Sequence, residues 1–307
     1  MRNIFFLSLI LSGLIFGGCS STNPSLSEKK EYPVSAEAES KYQSAEQKVT
    51  EEDYKSAEEL LNQAYYLTKN DSQREKILFL LAEDMFLYGY YNDAHKWYQK
   101  LLNNYPKTVS LNKIIKSELE IGFKFIEGAK RSFCGLYIFS SHDFGMEIVR
   151  NTLKIYPYAE PAEEYHFKLA AHLFESENYD DALQEYEDFI KIYPKSKLLA
   201  EAEYQISLCY LGVYMGSGYE ITPLLEARKT ISKFDKRYPD SSLNNEVKKL
   251  QSDINSMMAQ RDYDEALFYI KNGKLKSARI YLESIIKNYP DTKWAKESNE
   301  LLTTSVK

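Results

Sequence analysis

The sequence predicts an all-α protein built as a solenoid of about five to six stacked helical hairpins, and three observations predict it. Glu, Lys, Leu, Ala and Tyr dominate, while only 12 of 307 residues are Gly and 9 are Pro, a balance that favours long helices over strands and turns. Five Tyr-Pro pairs recur, at Tyr105-Pro106, Tyr156-Pro157, Tyr193-Pro194, Tyr238-Pro239 and Tyr289-Pro290, and twelve residues before each proline stands a small residue: Ala94, Gly145, Ala182, Ala227 or Ala278. Four residues after these come Tyr98, Val149, Tyr186, Ile231 and Leu282, and seven after come Leu101, Thr152, Phe189, Phe234 and Ile285. Offsets of 4, 7 and 11 trace one face of a helix, so each unit closes with an amphipathic helix that ends at Tyr and is stopped by Pro.

Ahead of the hairpins the chain carries a targeting segment, residues 1–18. Arg2 supplies a short positive region, Ile4 to Phe16 is almost wholly apolar, and Gly17-Gly18 offers small residues to a peptidase. The apolar run spans only about 20 Å as a helix, too short for a permanent membrane anchor. Its ending, FGGCSST, resembles the lipobox of bacterial lipoproteins, with Phe16 where that motif usually has Leu. The resemblance implies a lipoprotein signal peptide and lipidation of Cys19. Ser20 resembles the residue that sorts such proteins to the outer membrane. Residues 19–40 are polar, hold two prolines and show no apolar stripe, and so read as a flexible tether between lipid and folded body.

The first helix of each hairpin emerges one step further back. Twelve residues before the small position lie Ala82, Ala170 and Ala266, and Ala45 and Ala57 repeat that spacing without a Tyr-Pro. Turn signals separate the partners, as in Gly89-Tyr90-Tyr91-Asn92-Asp93, Glu177-Asn178-Tyr179-Asp180 and Lys271-Asn272-Gly273-Lys274. Small residues at matched heights let two antiparallel helices approach closely. Units are expected at 41–71, 75–106, 111–157, 162–194, 199–239 and 260–290. In the third, Gly145 replaces Ala and no register for the first helix is recoverable. In the fifth, YMGSGYEIT lengthens the turn, Ser207 stands twenty residues from Ala227, and Thr222 with Pro223 is expected to start the next helix as N-cap and first helical residue. Asp291 or Thr292 caps a final helix containing Trp294, Ala295 and Leu301 that covers the end of the stack. Residues 41–157 thus form N-terminal hairpins and 158–302 a second stretch, followed by a tail, 303–307.

The 26 tyrosines suit such an array, because Tyr adds large packing surface with a polar tip; most are expected between repeats and a minority on a concave face. Little points to chemistry. His95, His142, His166 and His172 show no metal-ligand spacing, the nearest two being six apart. Ser141-His142-Asp143 holds triad residue types, but sequence neighbours point in different directions. The Gly-x-Gly of MGSGYEI follows a helix rather than the strand a phosphate loop requires. Cys134 and Cys209 are expected as two buried small hydrophobes rather than a disulfide. No catalytic residue, cofactor or metal is expected, and a net charge of −6 argues against a nucleic-acid binder, which needs a basic footprint. Charge is uneven, however. Residues 159–190 hold ten acids against Lys168, whereas residues 271–296 hold Lys271, Lys274, Lys276, Arg279, Lys287, Lys293 and Lys296 against Glu283 and Asp291. That asymmetry fits either solvated faces or a C-terminal hairpin that docks an acidic partner.

The matched small residues, aromatic positions and closing prolines resemble the tetratricopeptide repeat. With the lipobox, the tether, LLEARKTISKFDKRYPDSS (224–242) and the long stretch VKKLQSDINSMMAQRDYDEALFYIKNGKLKSARIYLESIIKNYPDT (247–292), the chain resembles the BamD family of β-barrel assembly lipoproteins over roughly residues 160–302. It departs from that family in having extra hairpins before residue 157 and no counterpart of its last repeat. The resemblance implies a non-enzymatic scaffold, lipid-anchored to the outer membrane and facing the periplasm, whose C-terminal repeats bind BamA and whose concave N-terminal groove receives unfolded outer-membrane proteins. The alternative is another periplasmic repeat lipoprotein, a secretin pilotin or a coordinator of peptidoglycan synthesis with cell division.

Overall fold

The computed structural model describes residues 31–133, 136–139 and 141–304. They form fourteen helices and one short β-hairpin. The helices pair in chain order: α1 (Ala36–Thr50) with α2 (Tyr54–Leu67), α3 (Asp71–Leu87) with α4 (Tyr91–Asn104), α5 (Leu111–Ile126) with α6 (His142–Ile155), α7 (Ala162–Glu175) with α8 (Tyr179–Ile192), and α9 (Leu199–Val213) with α10 (Thr222–Ile231) and a one-turn α11 (Phe234–Arg237). The C-terminal half of α12 (Asn244–Lys271) pairs with α13 (Leu275–Asn288), and α14 (Lys293–Thr304) packs across both. The architecture is the expected tetratricopeptide-like solenoid.

The spacing rule holds at atomic level. Ala45, Ala57, Ala82, Ala94, Ala170, Ala182, Ala266 and Ala278 are all fully buried, as are Tyr98, Leu101, Val149, Phe189, Ile231, Phe234, Leu282 and Ile285. Each Tyr of the five Tyr-Pro pairs is a helix C-cap in one shared non-helical conformation, φ from −135° to −117° and ψ from 49° to 64°. Proline then forbids the helix from resuming. The turns inside the regular hairpins are equally uniform. Glu52, Gly89, Glu177 and Gly273 all have φ between 60° and 85°. Around Glu177, the Asn178 N–H donates to the Leu173 carbonyl at 2.9 Å and the Glu177 N–H to the Phe174 carbonyl at 3.0 Å. This paired arrangement satisfies carbonyls that the helix end leaves orphaned.

Four features differ from the sequence expectation. The first helix starts at Ala36, inside the segment read as tether. Ser35 caps it by accepting from the Ala38 N–H at 3.3 Å, and the Gln73 side-chain amide bonds both the N–H and the carbonyl of Ser35 at 2.8 and 3.0 Å, tying the helix start to α3. The third hairpin is opened by antiparallel strands β1 (Arg131–Phe133) and β2 (Leu136–Phe139), with Ser132 opposite Tyr137 and Phe133 opposite Leu136. RSFCGLYIF lacks helical periodicity and is rich in β-forming residues, which accounts for the local change. The missing register of the third hairpin is Gly122: a Cβ added there would stand 2.5 Å from Val149 Cγ2, and one added at Gly145 would overlap the Gly122 carbonyl oxygen. Two glycines bring α5 and α6 into backbone contact. Finally, Ile221 rather than Thr222 is the residue that precedes α10; the Thr222 hydroxyl donates to the Glu220 carboxylate at 2.8 Å instead of accepting from a helix N–H.

The core is distributed along the stack. One continuous cluster runs from Leu78 to Cys209 and crosses residue 157 without a break. A second joins α10, the first half of α12 and Ala295 of α14, and smaller clusters serve the first and last hairpins. Such division is expected when each repeat buries its apolar face against its neighbours alone. Thr292 caps α14, accepting from the Ala295 N–H at 3.3 Å, and α14 covers the last hairpin as the final helix was expected to.

Candidate functional site

No helix among the described residues is long and apolar enough to cross a membrane, and no group of three or more His, Cys, Asp or Glu among them could hold a metal. Most exposed apolar side chains of the array are scattered, but Leu267 and Phe268 on α12 and Leu275 and Ile280 on α13 all belong to the last hairpin, 41%, 58%, 40% and 68% exposed. Exposed Lys271, Lys274, Lys276 and Arg279 stand among them in sequence. Tyr269 and Tyr281 stack across the two helices, ring centroids 5.6 Å apart. Burial, and then its neighbour Tyr269, raise the Tyr281 phenol above its ordinary value, so the Tyr281 ring stays neutral near pH 7.

The long α12 explains part of this exposure. Its first half packs on α10 through Val247, Ile254 and Ala259. The second half continues past α10, and one of its faces carries Arg261 and Asp264, whose charges act on the Tyr214 phenol. Phe268 lies one turn beyond on that face and is left more than half exposed.

The lysines are placed against local helix electrostatics. Lys274 is the N-cap residue of α13 and Lys276 lies in its first turn, which holds no acid. The equivalent turns of α4, α6 and α8 hold Asp93, Asp143, and Asp180 with Asp181. A cation at a helix N-terminus costs about 0.3–1 kcal/mol relative to no charge. Arg279 pairs with Glu283 at 3.5 Å, but Lys271, Lys274, Lys276, Lys287 and Lys296 have no described carboxylate within 4.0 Å. A cluster that breaks a local rule with no internal partner is a signature of function.

The acidic stretch behaves differently, because much of it is used internally. Asp181 and Glu185 pair with Arg150 at 3.0 and 2.9 Å, Glu185 also meets His166 at 3.2 Å, Glu187 accepts from Tyr210 at 3.3 Å, and Asp188 pairs with Lys191 at 3.0 Å. Of the two halves of the charge asymmetry, the basic one is the more available.

Other expectations fall as follows. Cys19 and Cys134 lie outside the described residues. Cys209 is fully buried, and burial pushes its thiol up to about 12, the inert hydrophobe expected. Ser141 is buried whereas His142 Nδ1 lies 3.4 Å from Asp143 at the surface. The histidines are less isolated than their spacing implied: His142 on α6 and His172 on α7 bring their Nε2 atoms to 3.5 Å. Stacking of successive repeats makes that pair, so nothing within either helix could have announced it.

These features define a tetratricopeptide-type helical scaffold whose last hairpin exposes basic and apolar side chains. A family model, that of YfiO, described as an outer membrane lipoprotein, matches residues 144–306. The match covers more than half of the chain, and the protein belongs to the YfiO family. Hairpins α1–α2 and α3–α4, with α5, precede the matched region. No curated protein matches the chain. Among solved structures, a tetratricopeptide repeat protein from Parabacteroides merdae is 13% identical, with 88% of this chain and 100% of that chain covered at a TM-score of 0.38. The TPR domain of P58(IPK) is 16% identical over 88% and 67% at 0.30, and PilW, titled a type IV pilus biogenesis factor, is 13% identical over 86% and 99% at 0.30. At these scores the likenesses add nothing to the architecture described above.

Proposed function

We propose that this protein is a non-enzymatic scaffold, held by lipid on Cys19 at the periplasmic side of the outer membrane, that serves β-barrel assembly. In this reading the last hairpin docks a BamA-like assembly protein, and the array receives unfolded outer-membrane proteins along its concave face. Family membership supports the compartment and the lipid. The observation that carries the docking is the set of lysines at the start of α13, with no carboxylate partner among the described residues, beside exposed Phe268, Leu275 and Ile280. Apolar side chains supply affinity once desolvated, and the lysines orient an acidic partner and speed its approach. Three acyl chains, at about 0.8 kcal/mol for each buried methylene, make a lasting anchor.

Affinity purification of the tagged, full-length protein from envelopes tests the reading. Recovery of a BamA-type barrel protein is expected. Recovery of a secretin or of septal enzymes without it would favour the other repeat lipoproteins named above and contradict barrel assembly.

A further inference from the structure

A cleft of about 340 Å³ opens where α4 and α6 face one another across α5, within the volume range of ligand sites. Most of its α4 and α5 wall precedes the region shared with the YfiO family. Two rows of side chains border it at helical spacing: His95, Gln99 and Asn103 on α4, and Glu147, Asn151 and Ile155 on α6. Residues four apart on a helix rise by about 6 Å. An extended chain repeats every two residues at about 6.6 Å, so each row can meet alternate residues of a strand laid along it. Apolar Ile115 and Ile148 lie between the rows.

A buried acid sets the polarity of the α4 row. Glu118 has a fully buried side chain; its Oε2 lies 2.7 Å from His95 Nδ1 and accepts from Gln99 Nε2 at 3.0 Å, while Oε1 has no partner among the described residues. With its amide nitrogen so used, Gln99 keeps its carbonyl oxygen as an acceptor. Exposed Glu147 adds a carboxylate, and neither Lys nor Arg lines the cleft among the described residues. The amides of Gln99, Asn103 and Asn151 can bond a peptide backbone, and the charge of Glu147 favours an occupant that brings a cation.

We propose that the α4–α6 cleft binds an extended polypeptide segment bearing Lys or Arg at alternate positions, its backbone N–H groups meeting Gln99, Asn103 and Asn151 and its cation meeting Glu147. The proposal is independent of what docks at the last hairpin. The test is fluorescence anisotropy of a labelled octapeptide of alternating valine and arginine, titrated with the full-length protein in detergent. Asn151→Ala should weaken binding about three- to tenfold, as loss of one hydrogen bond does, and Glu147→Lys at least tenfold. Both positions are exposed, so the variants keep the fold. Glu59→Gln, an exposed acid on α2, should leave binding unchanged. No saturable binding, equal weakening by Glu59→Gln and Glu147→Gln, tighter binding of the valine–glutamate peptide, or competition by a neutral chito-oligosaccharide in place of peptide would each overturn the proposal.

Discussion

Substituting Gly145 by Ala tests the packing of the irregular third hairpin. The added Cβ would overlap the Gly122 carbonyl oxygen and stand 2.8 Å from the Ile126 amide nitrogen and 2.9 Å from Phe125 Cβ. None of these atoms can swing aside as a side-chain tip would, so α5 and α6 must separate. Overpacking of this kind costs about 1–3 kcal/mol, and Ala returns up to about 1 kcal/mol through helix propensity. A net loss of about 1–2 kcal/mol follows. At a urea dependence of about 2 kcal/mol per M this lowers the unfolding midpoint by roughly 0.5–1 M, measured by far-UV circular dichroism. Gly218→Ala is the control, since its added Cβ meets nothing within 4 Å. A Gly145→Ala protein as stable as wild type, at unchanged urea dependence, would show that the two helices do not touch backbone to backbone.

Three further outcomes are expected. Glu177 is a non-glycine residue at φ 60°, and Glu177→Gly should stabilise the protein by up to about 1 kcal/mol in the same urea assay; a loss would mean that the side chain has a role the turn does not need. Asp84 is fully buried with neither oxygen hydrogen-bonded among the described residues, and burial, then the charge of Glu58, raises its carboxyl to about 7. Its folded value exceeds the unfolded 3.8, so the unfolded chain loses the proton first and this group removes stability progressively as pH rises from about 4 to 7. Asp84→Asn should therefore be more stable than wild type at pH 8, with the gap narrowing at pH 5 in parallel urea titrations; a gap independent of pH would contradict the buried acid. Cys19→Ser should release the protein from the membrane fraction on envelope fractionation while its thermal unfolding stays unchanged, and altered unfolding would place Cys19 within the folded array.

How much was legible in the sequence depended on how local its cause was. The Ala-to-Ala spacing of twelve and the Tyr-Pro corners arise within one hairpin, and every such position is where periodicity put it. The start of α1 was hidden because the Gln73 amide that fixes Ser35 comes from the next hairpin, 38 residues away. Gly122 was hidden because the β-hairpin moved it outside the twelve-residue frame, although a second glycine inside a helical pattern was a usable signal. The basic half of the proposed docking surface could be read from charge alone. Its apolar half could not, because Phe268 is exposed only where the long α12 outruns α10. The α4–α6 cleft, like the His142–His172 pair, comes from helices of different hairpins, which meet only when repeats stack.

Docking through the last hairpin is most directly tested by copurification with full-length protein carrying both Lys274→Glu and Lys276→Glu. Acids suit the first turn of α13, so the variant should be at least as stable as wild type, by about 0.5–1 kcal/mol. It should nevertheless lose at least tenfold of the BamA-type partner recovered from envelopes. Undiminished recovery of that partner by the stable variant would contradict the docking surface assigned to α12 and α13.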